Sequence, residues 1–222
     1  MSEILSEIYG EQHRAWQRHF DSVNMADRVR DLIVTPTIAE EHAGFISSRD
    51  FFFLSTIDHR GFPTCSYKGG QPGFVKIVDD KTLAFPSLDG NSMYLSMGNI
   101  TLNHKIGMLF IDFETPHRVR VHGTASIDQH DPLLSEFPEA ELVVRVNIEE
   151  IFINCPRYIH KHARVAASKY VPQSGCETPT PQWKRLDSVQ DVLPSDEKQL
   201  VDAMGGTITF EQYAELVMKG DA

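Results

Sequence analysis

The sequence is short of the features that define several protein classes. It has three cysteines in 222 residues, and Cys65, Cys155 and Cys176 stand far apart. An odd, scattered set builds neither a disulfide framework nor a closed zinc site, so a reducing, cytoplasmic setting is expected. No run of about 18 apolar residues occurs, which gives no reason to expect a membrane-spanning helix. The N-terminus, from Met1 through Ile4 to Glu7, has neither the basic nor the apolar region of a secretory leader. Positive charge is also scarce: 21 lysines and arginines face 31 acids, for a net charge of −10. No cluster of cations could neutralise a row of phosphates, so a nucleic-acid partner is not expected. Internal repeats and low-complexity tracts are missing as well.

What is present suits one ordinary core with appendages, at 41% hydrophobic and 23% charged residues. The charge is uneven. From Asp187 to Ala222, eight acids stand against two lysines, whereas from Arg60 to Ala125 seven lysines and arginines outnumber five acids. An anionic ligand is therefore expected in the relatively positive middle of the chain.

Periodicity divides the sequence into three stretches. Residues 1–50 read as a helical segment packing on the barrel, with Ile4, Leu5, Ile8, Ala15, Trp16 and Phe20 at helical intervals. Thr37, with Glu40 as its capping-box partner, is predicted to cap a helix carrying Ile38, Ala43, Phe45 and Ile46. Residues 51–171 change to strand patterning. Phe51 to Ile57 and Pro63 to Tyr67 flank the turn Asp58-His59-Arg60-Gly61 as a β-hairpin. Further strands are expected near residues 74–78, 83–85, 106–111, 118–125 and 142–154. One helix, capped by Asn91, is inserted between them. The fold class is mainly β: an antiparallel barrel with flanking helices, closure being the usual solution for such a set of strands. Residues 172–222 read as a polar loop and then a short, acidic helical tail, whose second helix is capped by Thr209 with Gln212.

Two local features could carry chemistry. The stretch from Lys68 through Gly69, Gly70, Gln71, Pro72, Gly73, Phe74 and Val75 to Lys76 sets two cations beside glycines that permit close backbone approach. Asp89-Gly90-Asn91-Ser92 opens a helix whose first N–H groups suit an anion. A phosphate between Lys68 or Lys76 and the amides of Asn91 and Ser92 is the ligand this pattern favours. His160-Lys161-His162 lacks a third ligand for a metal, so no metal site is expected. Cys155 reads as a small packing residue and Arg185 as a surface residue.

Taken in order, these pieces resemble the FMN-binding split barrels related to pyridoxamine 5′-phosphate oxidase. The resemblance rests on residues 53–56, 61–63, 68–76, 80–85, 90–91, 96–100, 107–110 and 118–125. Asn154-Cys155-Pro156-Arg157-Tyr158-Ile159 is similar to the Asn-Cys-Pro segment of one uncharacterised branch. It implies an antiparallel Greek-key split barrel that binds FMN as a homodimer, with flavin sites at the interface. It also implies an oxidoreductase acting on an unidentified small molecule, with Gln71, Gly73, Phe74, Val75 and Lys76 along the flavin. Lys76 and the 73–75 backbone are then placed to stabilise the reduced ring. Pro86 and Ser87 would lie at the next flavin-contacting strand end. Asn91, Ser92 and Met93 fall where the oxidase has its Ser-Arg-Lys phosphate clamp. Neither Ser92 nor Met93 is basic, so the phosphate charge passes to Lys68, Lys76 or Arg118. Asn154 and Arg157 would reach the partner's flavin. The altered clamp argues against pyridoxamine-phosphate oxidation itself, and no catalytic residue is assigned. The alternative is a non-catalytic barrel holding flavin, or haem with His122 or His160 as axial ligand.

Overall fold

The aromatic, β-branched run that opens the middle stretch forms strand β1 (Phe51–Ile57), burying Phe52, Leu54 and Thr56 while Ser55 and Ile57 face outward. That alternation sets which face of the whole sheet becomes core. In the computed structural model, which describes residues 8–222, β1 pairs with β2 (Pro63–Gly69) across the expected turn. Strands β3 (Lys76–Ile77), β4 (Thr82–Leu88), β5 (Lys105–Asp112), β6 (His117–Asp128) and β7 (Ala140–Ile153) complete one antiparallel sheet. Its order is β2-β1-β5-β6-β7-β4-β3.

The sheet curls strongly. β1 and β4 are four steps apart in the order, roughly 19 Å in a flat sheet. Yet the Phe52 and Phe85 rings meet edge-to-face with centroids 5.0 Å apart. Phe52, Leu54, Leu83, Phe85, Phe110, Val119, Val121, Val144, Val146 and Ile151 are all fully buried in the core inside this curl. Full closure, the expectation for so many short strands, is not reached. Among the described residues no ladder joins the edge strands β2 and β3.

Helices cover part of the curl. α3 (Glu40–Ser47) buries Ile46 and His42. Its cap differs from the expected one. Ala39 occupies the N-cap position and donates its N–H to His42 Nδ1 at 3.3 Å. Thr37 stands two residues before that position, with its carbonyl accepting from Thr35 Oγ1 at 2.8 Å. α4 (Leu95–Leu102) packs on the core through Met97 and Ile100. Ahead of α3 run α1 (Glu11–His19) and α2 (Val23–Ile33), neither of which buries a residue. The expected apolar positions Ile4 and Leu5 lie outside the described residues.

The chain forms two compact units, one ending at Ala166 and the other running from Ala167 to Ala222. The second unit holds α5 (Ser195–Ala203) and α6 (Phe210–Lys219). α6 carries the expected capping box, with Gln212 N–H donating to Thr209 Oγ1 and Gln212 Oε1 accepting from Thr209 N–H. Arg185 does not behave as a free surface residue. It is half-buried, and its guanidinium donates to the Gly206 carbonyl at 2.8 Å and to Gln182 at 3.0 Å. Among the described residues no helix is long and apolar enough to cross a membrane.

Candidate functional site

The core face of β2 changes character along its length. Thr64, Ser66 and Lys68 point to the same side as Leu54 and Phe52, with which Ser66 and Lys68 pair on β1. At this edge strand the apolar interior gives way to a polar lining. Asn99 of α4 is buried there and donates to Thr56 Oγ1 at 3.0 Å and to Thr64 Oγ1 at 3.2 Å, fixing the helix over the strand end. Between β2, the end of β4 and the start of α4 lies a cavity of about 200 Å³. It is lined by Ser66, Lys68, Ser87, Asn91, Ser92 and the first turn of α4.

Lys68 is the only cation on that lining. It is half-buried, and no described residue offers it an ion pair or a hydrogen bond. Burial pulls its ammonium below the ordinary lysine range. A cation kept from water and given no acid is poised for an anion from outside the chain. The helix contributes as well. α4 begins at Leu95 rather than near Asn91, because Ser92 and Tyr94 adopt left-handed backbone at φ 60° and 46°. Asn91 instead accepts from Met93 N–H at 3.2 Å, turning the loop ahead of the helix. The N–H groups of Leu95, Ser96 and Met97, which no helical carbonyl can reach, therefore border the cavity. The arrangement fits a phosphate monoester: one cation, several hydroxyls and a helix start.

The other expected residues lie elsewhere. Ser87, on the core face of β4, reaches the cavity, whereas Pro86 is buried next to it in the same strand. Gln71 is exposed in the turn after β2, and Phe74 and Val75 insert into the core. Gly70 is required there, since a Cβ would fall 2.3 Å from the Phe74 ring. Gly73 holds a left-handed φ of 83° that lets the chain return to β3. Lys76 does not line the cavity. It pairs with Ala84, which belongs to a small apolar cluster separate from the main core, and its ammonium lies 3.4 Å from Glu136.

Arg118 and Asn154 meet at a second place, the junction of β6 and β7. Arg118 donates to the Cys155 carbonyl at 3.0 Å, and its own carbonyl accepts from Asn154 N–H at 3.3 Å. Arg118 Nε and Asn154 Oδ1 are buried with no protein partner. Such orphaned atoms mark a polar corner that a ligand could complete. Arg157 is exposed nearby in sequence, with its guanidinium 6.0 Å from the Tyr158 ring. Cys155 is exposed rather than a buried packing residue, because the strand has ended and only its carbonyl is engaged.

Sequence reading missed the environment of His122. Its Nδ1 lies 2.6 Å from Glu150, whose side chain is only 8% exposed. A register shift lies opposite, where His122 pairs with Glu150 but Gly123 pairs with Ile148, leaving Glu149 as an extra residue in β7. The bulge turns both neighbouring acids to one face, Glu150 toward His122 and Glu149 toward Thr124 and Lys105. The ring extends over Gly107, where a Cβ would meet it at 3.6 Å. The signal in the sequence was a Glu-Glu doublet inside an alternating strand. His160 is exposed, and the His162 ring packs edge-on against Phe113.

Comparison with known proteins places these features in context. The sequence model of a family described as pyridoxamine 5′-phosphate oxidase matches residues 38–164. No curated protein matches the sequence. Among solved structures, HupZ from Group A Streptococcus is 22% identical, covering 57% of this chain and 99% of that one, with a TM-score of 0.44. A putative pyridoxamine 5′-phosphate oxidase from Lactobacillus delbrueckii is 25% identical over 53% of this chain and 95% of that one, also at 0.44. The haem storage protein HutZ of Vibrio cholerae is 17% identical over 52% and 94% of the two chains, at 0.39.

Proposed function

This chain belongs to the pyridoxamine 5′-phosphate oxidase family, and from that premise we propose that it is an FMN-binding split-barrel flavoprotein, an FMN-dependent oxidoreductase for a small molecule. The observation that carries the reading is the half-buried Lys68, without a partner among the described residues, set among hydroxyls and free helix amides. Lys68, Ser87, Asn91, Ser92 and the first turn of α4 would hold the FMN phosphate. When bound, FMN supplies hydride and electron transfer at its ring. The protein's part is position. The backbone around Gly73 offers N–H groups to a ring edge, and Arg118 with Asn154 brings a guanidinium and an unmet amide oxygen.

Size supports a two-chain site. The 200 Å³ cavity is smaller than the roughly 300–1,000 Å³ of pockets that enclose a ligand of this class. Arg118 on β6 and Asn154 just past β7 are also not among the residues lining the Lys68 cavity. A homodimer with the flavin between two copies brings such groups together, with Arg157 reaching across. Absorbance of the purified protein tests the reading: twin flavin bands support it, and a colourless protein that takes up no added FMN overturns it.

A second reading has its own observation. Ligating histidines characteristically engage a carboxylate through the other ring nitrogen, and the buried Glu150 holds His122 Nδ1 in that way, while Nε2 has no hydrogen-bond partner among the described residues. Haem binding with His122 as axial ligand would give one intense violet band, lost in His122→Ala.

A further inference from the structure

We propose that the α1–α2 hairpin is a docking face for the same hairpin of a second copy of this chain. The hairpin is built inside out. Between its helices lie polar groups: Arg14 bridges to Asp27 at 2.8 Å, Arg30 joins the same carboxylate at 3.1 Å, and Tyr9 Oη donates to the Ala26 carbonyl at 3.0 Å. Its large apolar side chains point away. Trp16 is 66% exposed, Phe20 70%, Met25 67%, Val29 41% and Leu32 72%.

These positions are not scattered. Residues 16 and 20 are one helical turn apart, as are 25, 29 and 32, so each helix carries an outward apolar stripe. Trp16 and Phe20 stack with centroids 6.1 Å apart. Helices of 9 and 11 residues are too short to persist on propensity alone, and no residue of either is buried in this chain. The missing stabilisation must come from what covers the stripes.

Area and charge point to a second copy. Aromatic side chains bury about 150–250 Å² each, so five large apolar groups at these exposures amount to roughly 500 Å² per hairpin. Self-pairing then removes about 1,000 Å², about the least area of a biological interface and in the range of reversible ones. A two-fold pairing also presents the same stripes on both sides, as closed dimers do. A membrane surface suits the hairpin less well. Residues 8–33 hold four arginines and four acids, and Arg14, Arg18 and Arg30 are already in ion pairs. An interfacial helix needs free cations on its polar face. This contact does not rest on the flavin reading.

The test uses Trp16 as its own reporter. The chain has two tryptophans, so Trp183→Phe in the full-length protein isolates it. Emission and acrylamide quenching are followed over a dilution series, with mass from sedimentation velocity. Pairing predicts blue-shifted, protected emission at micromolar concentration, moving to the solvent-exposed spectrum as the protein dilutes. Val29→Glu with Leu32→Glu should give the exposed spectrum at every concentration, with circular dichroism of the sheet and any flavin absorbance unchanged. Met25→Lys serves if that pair fails to fold. The proposal is overturned by a solvent-exposed Trp16 at all concentrations, or by protection persisting where sedimentation reports a monomer. Protection arising only with phosphatidylserine vesicles also overturns it. A colourless protein with paired hairpins defeats the flavin reading alone, and a yellow dimer whose Trp16 stays exposed defeats the pairing alone.

Discussion

The Lys68 cavity and the Asp131–Arg145 contact treat buried charge in opposite ways. Asp131 is 4% exposed, accepts from Arg145 Nε at 2.5 Å and Nη2 at 3.0 Å, and also takes the Leu133 N–H. Its charge is closed within the fold, clamping the 3₁₀ turn at Pro132–Glu136 onto β7. Lys68 is half-withdrawn from water, yet no described residue supplies it a counter-charge. A charge met by the protein serves structure, and a charge left unmet in a cavity serves a ligand. The two sites should therefore fail differently when altered.

The largest effect is expected at the cavity. Lys68→Glu replaces a charge-assisted phosphate contact with repulsion, so FMN affinity should fall about 100-fold, or ~2.7 kcal/mol. The denaturation midpoint of the flavin-free protein should change little, since one uncompensated half-buried charge is exchanged for another. Equilibrium dialysis with FMN and urea unfolding check the two halves. The same lysine sets a pH dependence. Its ammonium lies below the ordinary lysine range in the folded, ligand-free protein because of burial. It is charged below that depressed value and neutral above it, so FMN affinity should decline as pH rises, before free lysine would titrate. Lys68→Arg, which stays charged, should remove the decline.

Asp131 should show the reverse. Asp131→Asn leaves Arg145 without its anion and should cost about 2 kcal/mol of stability, with flavin binding unchanged. The arginine's hydrogen bonds hold the Asp131 carboxylate below its ordinary range, outweighing the opposing effect of burial. Its stabilisation is therefore complete above the unfolded-state value, about 3.9. It is lost as pH falls through the lower folded value. Acid titration of the unfolding midpoint should show this loss in the native chain and not in the variant.

Legibility in the sequence divides along the same line. Strand existence was legible because the aromatic, β-branched run at residues 51–57 is a local signal, but its inward face was not, since Phe51 and Phe53 are as apolar as the buried Phe52. Of the phosphate candidates, Lys68, Asn91 and Ser92 share one cavity, which Ser87 also lines, while Lys76 and Arg118 lie outside it. The start of α4 was not legible. Asn91 is a good cap by type, but the left-handed backbone at Ser92 and Tyr94 is imposed by the fold. Nor could spacing distinguish Lys68 from Lys76. That difference depends on strand register, which sends one ammonium inward and pairs the other with Glu136, a partner 60 positions away in the chain. The His122–Glu150 pair likewise depends on a bulge that appears only when β6 and β7 are aligned.

The smallest effect separates the two lysines directly. Lys76 and Glu136 are 3.4 Å apart, with side chains 40% and 53% exposed, so water screens the pair heavily. Such pairs contribute at most about 1 kcal/mol, and commonly less. Lys76→Met removes the ammonium, which lies 5.9 Å from the Phe137 ring centroid, while keeping an unbranched stem. It should change stability by less than about 0.5 kcal/mol and FMN affinity by less than about threefold. Lys76→Met is preferred to Lys76→Glu, which would add repulsion from Glu136 and blur the comparison. The informative quantity is the ratio of the two losses, measured by the same dialysis. A ratio well above ten in favour of Lys68 places the phosphate in the cavity between β2 and α4. Equal losses would mean that the anion lies between the two lysines, which one chain cannot arrange because β3 turns Lys76 away from that cavity. The site would then have to draw its second cation from the partner subunit, and the phosphate, rather than the ring, would be what the two copies share.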